Sequence, residues 1–237
     1  MYYRDHIEVE LSDADPDARI RLLNEAGEEV SGNRWTNGNK LSFYPEEPLL
    51  PSHRYSAQVD YCGSVEPAVI GFGTSELGSP LEGGNAMLTG RTFSIDPSSG
   101  IVLYPSGVGD ILKRLLHNTF LIEAVGADDS EMDVRLTLSM ANAFEQNFCV
   151  PTLDDFPPLD LSDSPYFKLD SQDILLQIAR YSMTLYDFSV SGTIAPDASY
   201  FAELKAEGVI DLREIRPVAQ DFNLLIEDAE QLCDLLD

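Results

Sequence analysis

The sequence predicts a mainly β protein of two modules: an antiparallel β-sandwich, then a second antiparallel β-rich domain with one or two short helices. Three observations carry this. Apolar residues recur two apart in many short runs. Turn signals punctuate the first third every eight to twelve residues or so. A Gly-rich stretch, "GSPLEGGNAMLTG" from Gly78 to Gly90, separates two textures of sequence. The expected domains are therefore 1–78 and 91–237, with 79–90 as linker.

In the first module Ile7, Val9 and Leu11 alternate, and so do Ala18, Ile20 and Leu22 after an Asp- and Pro-rich turn. "NEAGEEV" holds a glycine turn, and Asn37-Gly38 is a hairpin signal ahead of Leu41 and Phe43. Tyr55, Ala57, Val59 and Tyr61 alternate next, and Ala68, Ile70 and Phe72 close the module. Between two of these runs stands Leu49-x-Pro51-x-x-x-Tyr55. It reads as the corner where the chain leaves one sheet and enters the other. A tyrosine there buries its ring and returns its hydroxyl to nearby backbone. Trp35, the single tryptophan, is expected in the core of this module.

The second module begins with strand-like runs at Leu88 to Ile95 and Ile101 to Tyr104. "PSGVGDILKRLLHN" predicts a short helix over about 107–117, capped by Ser106, with Ile111, Leu112, Leu115 and Leu116 on one face. Phe120 to Val125 is mostly apolar, and Met132 to Met140 alternates as a half-buried strand. "VPTLDDFPPLDLSDSPYF" reads as a long acidic, proline-rich loop. A second meander starts at Ile174, Leu176 and Ile178, runs through "SMTLYDFSVSGTI", turns at Pro196-Asp197 and returns through "SYFAELKAEGVIDL". Its apolar parity slips between Leu185 and Tyr186, which predicts a bulge. "EDAEQLCDLL" predicts a last helix over about 227–236.

The run "LSFYPEEPLLPSHRYSAQVDY", closing with "GFGTSELG", resembles the bacterial Ig-like domain of exported surface proteins. The resemblance covers about residues 1–78 and implies fold and export, not an activity. Such a domain has a strand before "IEVEL"; only Met1 to His6 stand there, so that strand is expected to be shortened or cut. The segments Cys149 to Thr152, Ser191 to Ser199 and Asp228 to Cys233 resemble the β-rich domain of predicted exported bacterial proteins of unknown role. That resemblance implies a two-module exported chain.

The formal net charge of −26 bears on partners. Such a surface repels phosphate backbones and anionic headgroups, so nucleic-acid binding is not expected. No apolar run approaches the ~18 residues of a membrane span, so membrane insertion is not expected. Met1 is followed directly by Tyr2, Tyr3, Arg4 and Asp5, without the basic and apolar regions of a secretory signal. The chain is then either cytosolic or a trimmed piece of an exported protein. The resemblance favours an extracellular or cell-surface location.

Three cysteines, Cys62, Cys149 and Cys233, are too few for a disulfide scaffold. A Cys149–Cys233 bridge is favoured because both lie in the second module, and a loop of that length would stabilise by about 4 kcal/mol. Three free or buried thiols are the alternative.

The sequence shows no familiar catalytic constellation. His6, His53 and His117 read as structural or exposed. Gly107 and Gly109 lack the third glycine of the dinucleotide fingerprint. Asp13, Asp15 and Asp17 stand at alternate positions like the first half of a calcium loop. The glycine and the distal glutamate of an EF-hand are missing, which leaves a looser calcium site or a solvated acidic turn. Asp154, Asp155, Asp160 and Asp163 form a second acidic cluster with the same alternatives.

The leading expectation is a non-enzymatic, exported two-module binding or interaction protein. Its partner, a protein or surface, would meet the acidic loop from Cys149 to Tyr166, whose deletion is expected to spare folding. The runner-up is a carrier of an apolar, lipid-like ligand among Leu115, Leu116, Phe120, Met140, Met183 and Phe188. The third is a hydrolase with an unfamiliar carboxylate site.

Overall fold

A computed structural model describes residues 1–64, 66–103, 119–139, 145–149, 152, 156–178 and 181–211. The protein is mainly β and its sheets are antiparallel. Among the described residues helix is confined to two 3-10 turns, Asn85–Leu88 and Pro97–Ser99. The two helices expected over 107–117 and 227–236 lie outside the described residues. By proximity the chain divides into two compact units, Met1–Glu82 with Ile194–Ser199, and Gly83–Thr193 with Tyr200–Asp237.

The first unit holds two three-stranded sheets. One has the order β1 (Ile7–Glu10), β4 (Lys40–Pro45), β3 (Gly32–Asn37). The other has the order β2 (Arg19–Leu23), β5 (Arg54–Asp60), β6 (Ala68–Gly73). Their apolar faces share one core, built on Ile7, Ile20, Leu22, Leu41, Phe43 and Val59. Each run of alternating residues forms a strand, since alternation sets one face toward that core, although on β6 only Ala68 and Phe72 pack there and Ile70 is exposed. The Asn37-Gly38 signal became the β3–β4 hairpin, with Asn37 opposite Lys40 and Gly38 at φ +62°.

The corner between β4 and β5 forms as expected. Tyr55 is buried, and its hydroxyl accepts the Leu50 backbone N–H at 2.9 Å. The chain crosses there from the β1-β4-β3 sheet to the β2-β5-β6 sheet. Met1 to His6 are not a free end. The Met1 amino group donates to Gly73 O at 3.0 Å, Tyr3 is buried, and Leu49 N–H donates to Tyr3 O at 2.8 Å.

The second unit is a seven-stranded meander, β7 to β13 in chain order, that curls into a half-barrel. Its strands are β7 (Thr92–Ile95), β8 (Phe120–Ala127), β9 (Glu131–Leu138), β10 (Leu159–Asp160), β11 (Tyr166–Ile178), β12 (Tyr181–Ile194) and β13 (Phe201–Ile210). Register places Phe93, Ile122, Val134 and Leu136 on one face, continued by Met132, Leu159 and Phe167. The opposite face carries cross-strand ion pairs, Glu123–Arg135 at 2.9 Å and Asp160–Lys168 at 3.7 Å. A register shift falls between Ile174↔Leu185 and Gln172↔Phe188, where the parity slip predicts a bulge. Asp187 sits there at φ +49°, and its N–H donates to Asp173 Oδ1 at 3.1 Å.

Residues 83–90 group with the second unit, and Leu88 and Asn85 are buried. Asn85 Nδ2 donates to Asp128 O at 3.0 Å, and its Oδ1 accepts Ser164 Oγ–H at 2.6 Å. β7 starts at Thr92, because Leu88 is taken up by the 3-10 turn. Ile101 and Leu103 are exposed and outside any strand. The acidic stretch before Tyr166 is not all loop. It contains β10, which pairs with β9 and β11 in mid-sheet, and it buries Leu159 and Leu161. Removing it would break the ladder, so its deletion is no neutral change. The prolines and aspartates of "PPLDLSDSP" mask a two-residue strand too short to show alternation.

Candidate functional site

Trp35 is the first surprise. Its parity pairs it with Ser42, while Arg34 and Thr36 stand opposite the core residues Phe43 and Leu41. Trp35 therefore points away from the core and is 67% exposed. The expected core position is overturned because β3 is an edge strand whose inward face carries Arg34 and Thr36. Tyr44, opposite Asn33, shares that outer face and is 46% exposed. His6 stacks on Tyr44 with ring centroids 4.7 Å apart and planes 10° from parallel. Asn33, Asn37, Glu8 and Lys40 supply the same face with polar groups, Lys40 Nζ lying 2.8 Å from Glu8 Oε1. That pair lowers the Glu8 carboxyl below its ordinary range and raises the Lys40 ammonium, chiefly through the hydrogen bond between them.

A groove of about 590 Å³ runs along the free edge of β2, lined among others by Arg19, Arg21, Glu29, Arg34 and Asp60. Arg34 reaches over from β3, donates through Nε to Ile20 O at 2.9 Å, and pairs with Glu29. Arg21 lies 3.5 Å from Asp60 Oδ2. The Nε of Arg21 is buried with no acceptor among the described residues. Arg19 stands opposite Asp60 and makes no side-chain hydrogen bond or ion pair with a described residue. The alternation that buries Ile20 and Leu22 necessarily turns Arg19 and Arg21 to the other face.

The aspartates singled out for calcium do not converge. Asp15 Oδ1 accepts Asp17 N–H at 3.0 Å, and its Oδ2 accepts Cys62 N–H. These bonds lower the Asp15 carboxyl, the Cys62 bond most. Its oxygens tie the β1–β2 turn to the turn after β5, and Asp13 and Asp17 are exposed. Among the described residues no three His, Cys, Asp or Glu side chains gather to hold a metal. In the second acidic cluster Asp160 Oδ1 accepts Ser162 N–H at 2.8 Å, which is the main cause of its lowered carboxyl. Asp154 and Asp155 lie outside the described residues.

Cys62 and Cys149 are exposed, and Cys233 lies outside the described residues. His53 Nδ1 lies 2.7 Å from Pro51 O in the corner turn, and His117 lies outside the described residues. Of the residues proposed to line an apolar cavity, Phe120 and Phe188 are half-buried strand positions. Leu115, Leu116, Met140 and the Met183 side chain lie outside what is described.

These features define an antiparallel, mainly β protein with an aromatic sheet face and a basic edge groove. No family model matches the chain, and no curated protein does.

Proposed function

We propose that this is a non-enzymatic, exported or cell-surface binding protein, with an Ig-like sandwich followed by a β-rich second domain. The observation that carries the reading is Trp35, set with Tyr44 on the outer face of an edge-strand sheet. A large exposed aromatic gains binding free energy when a partner desolvates it, which is why such residues anchor interfaces. The Tyr55 corner and the core shared by two three-stranded sheets support the sandwich assignment. Export is supported by the sequence resemblance alone.

The test presents purified protein and its Trp35→Ala variant to arrays of immobilised extracellular proteins and polysaccharides. Saturable binding is expected for the parent and a loss of at least about ten-fold for the variant, since an aromatic anchor contributes roughly 2 kcal/mol. Unchanged Tm should accompany that loss. Equal binding by parent and variant, or turnover of an arrayed substrate, overturns the reading.

A carrier of an apolar ligand is the second reading, favoured by the apolar face of the curled sheet. Lipid-like mass retained in native mass spectrometry would support it, and a bare chain mass would dismiss it.

A further inference from the structure

We propose that the groove along the free edge of β2 is a binding site for a small organic anion, held by Arg19 and Arg21 through one carboxylate or phosphate group. Three of the chain's 15 basic residues line this one groove, against two acids, in a chain of net charge −26. Basic charge is locally in excess where the rest of the surface is acidic. Two donors are uncommitted: the Arg19 guanidinium has no partner among the described residues, and Arg21 Nε is buried without an acceptor. Arg21 Nε cannot meet an oxyanion where it lies; a turn of the side chain into the groove would end its unsatisfied burial, and an oxyanion there recovers that cost. Two guanidinium groups two residues apart on one strand face offer the fork geometry that carboxylates and phosphates accept.

The neighbouring groups limit what fits. Ile20 O is engaged by Arg34 and Leu22 O by Val30 N–H at 2.8 Å. An extended peptide would find those edge acceptors occupied, so strand addition along β2 is blocked. A long polyanion would meet Glu29 and Asp60 at the groove and the acidic surface beyond it. A compact ligand with one anionic group avoids both. Asp60 competes with that ligand for Arg21.

Isothermal titration at low ionic strength and pH 7, with propionate and separately with inorganic phosphate, tests the assignment. Saturable heat is expected with at least one probe, and whichever binds tighter identifies the oxyanion. Arg19→Gln and Arg21→Gln should each weaken it about ten-fold, and high salt should weaken it further. Asp60→Asn should tighten it by freeing Arg21. Glu76→Gln, an equal charge change at an exposed site outside the groove, should leave it unchanged. Circular dichroism confirms that each variant is folded, and Arg19→Gln breaks no side-chain hydrogen bond or ion pair among the described residues. No saturable heat with either probe up to about 10 mM overturns the site. So does unchanged affinity in both arginine variants, or equal tightening by Asp60→Asn and Glu76→Gln, which would reveal only bulk charge.

Discussion

The rings of Phe93 and Phe201 stack with centroids 4.0 Å apart and planes 21° from parallel, although they belong to the first and last strands of a seven-stranded sheet. Strands at opposite edges of a flat sheet of this size would be too far apart to touch. The contact therefore records how strongly the sheet curls. Phe167 on β11 joins them, 5.0 Å from Phe201. Phe93→Ala should destabilise by about 3 kcal/mol, from lost burial and the cavity left behind. A double-mutant cycle with Phe201→Ala in urea should show coupling near 1 kcal/mol. Additive losses would mean that the edges do not meet in solution.

Tyr55→Phe removes the acceptor of the Leu50 N–H while keeping the buried ring. The expected cost is about 1–2 kcal/mol, read as a lower urea midpoint with an unchanged m-value. Tyr55→Leu should cost more, since the stacking on Phe72, with centroids 5.9 Å apart, goes too.

Gly32→Ala tests close packing at the start of β3. A Cβ there would stand 2.5 Å from Tyr44 O and 2.5 Å from the Phe43 ring. The carbonyl is backbone of the paired strand and Phe43 is fully buried, so neither gives way easily. A loss of about 1–3 kcal/mol is expected on thermal or chemical unfolding. Gly38→Ala meets no atom and should lose less, through its positive φ alone.

Leu161→Ala probes whether the acidic stretch is structural. The side chain is fully buried beside β10, so a loss of about 2–5 kcal/mol is expected in equilibrium unfolding. A change under about 0.5 kcal/mol, typical of surface sites, would return the stretch to the status of a loop.

Asp128 caps the β8–β9 turn. Its Oδ1 accepts Ser130 N–H at 2.7 Å, Ser130 Oγ–H at 2.8 Å and Glu131 N–H at 3.0 Å. These bonds, the Ser130 N–H first, lower its carboxyl below the ordinary aspartate value of about 3.9. A lowered folded value stabilises fully above that ordinary value, and the contribution fades as pH falls through the folded one. Asp128→Asn should therefore be less stable than the parent at pH 7, and the two stability curves should converge as pH falls below the ordinary aspartate value of about 3.9. Parallel curves across that range would deny the carboxylate its role.

Much of the strand content was legible in the sequence because alternation is local. A period of two places Ile20, Leu22, Ala57 and Val59 on a buried face whatever their partners are. The Asn37-Gly38 hairpin and the Tyr55 corner were legible because each is set by bonds within a few residues, and the bulge near Leu185 because it interrupts the alternation itself. Tertiary structure alone decided that β3 lies at an edge, which exposes Trp35, and that β10 completes mid-sheet pairing inside a proline-rich stretch. It also decided that β7 curls round to β13, and that Arg34 crosses to the edge of β2 beside Arg19 and Arg21. Those outcomes depend on which strands pair and in what order, and pairing order is a long-range competition that no short pattern of residues encodes.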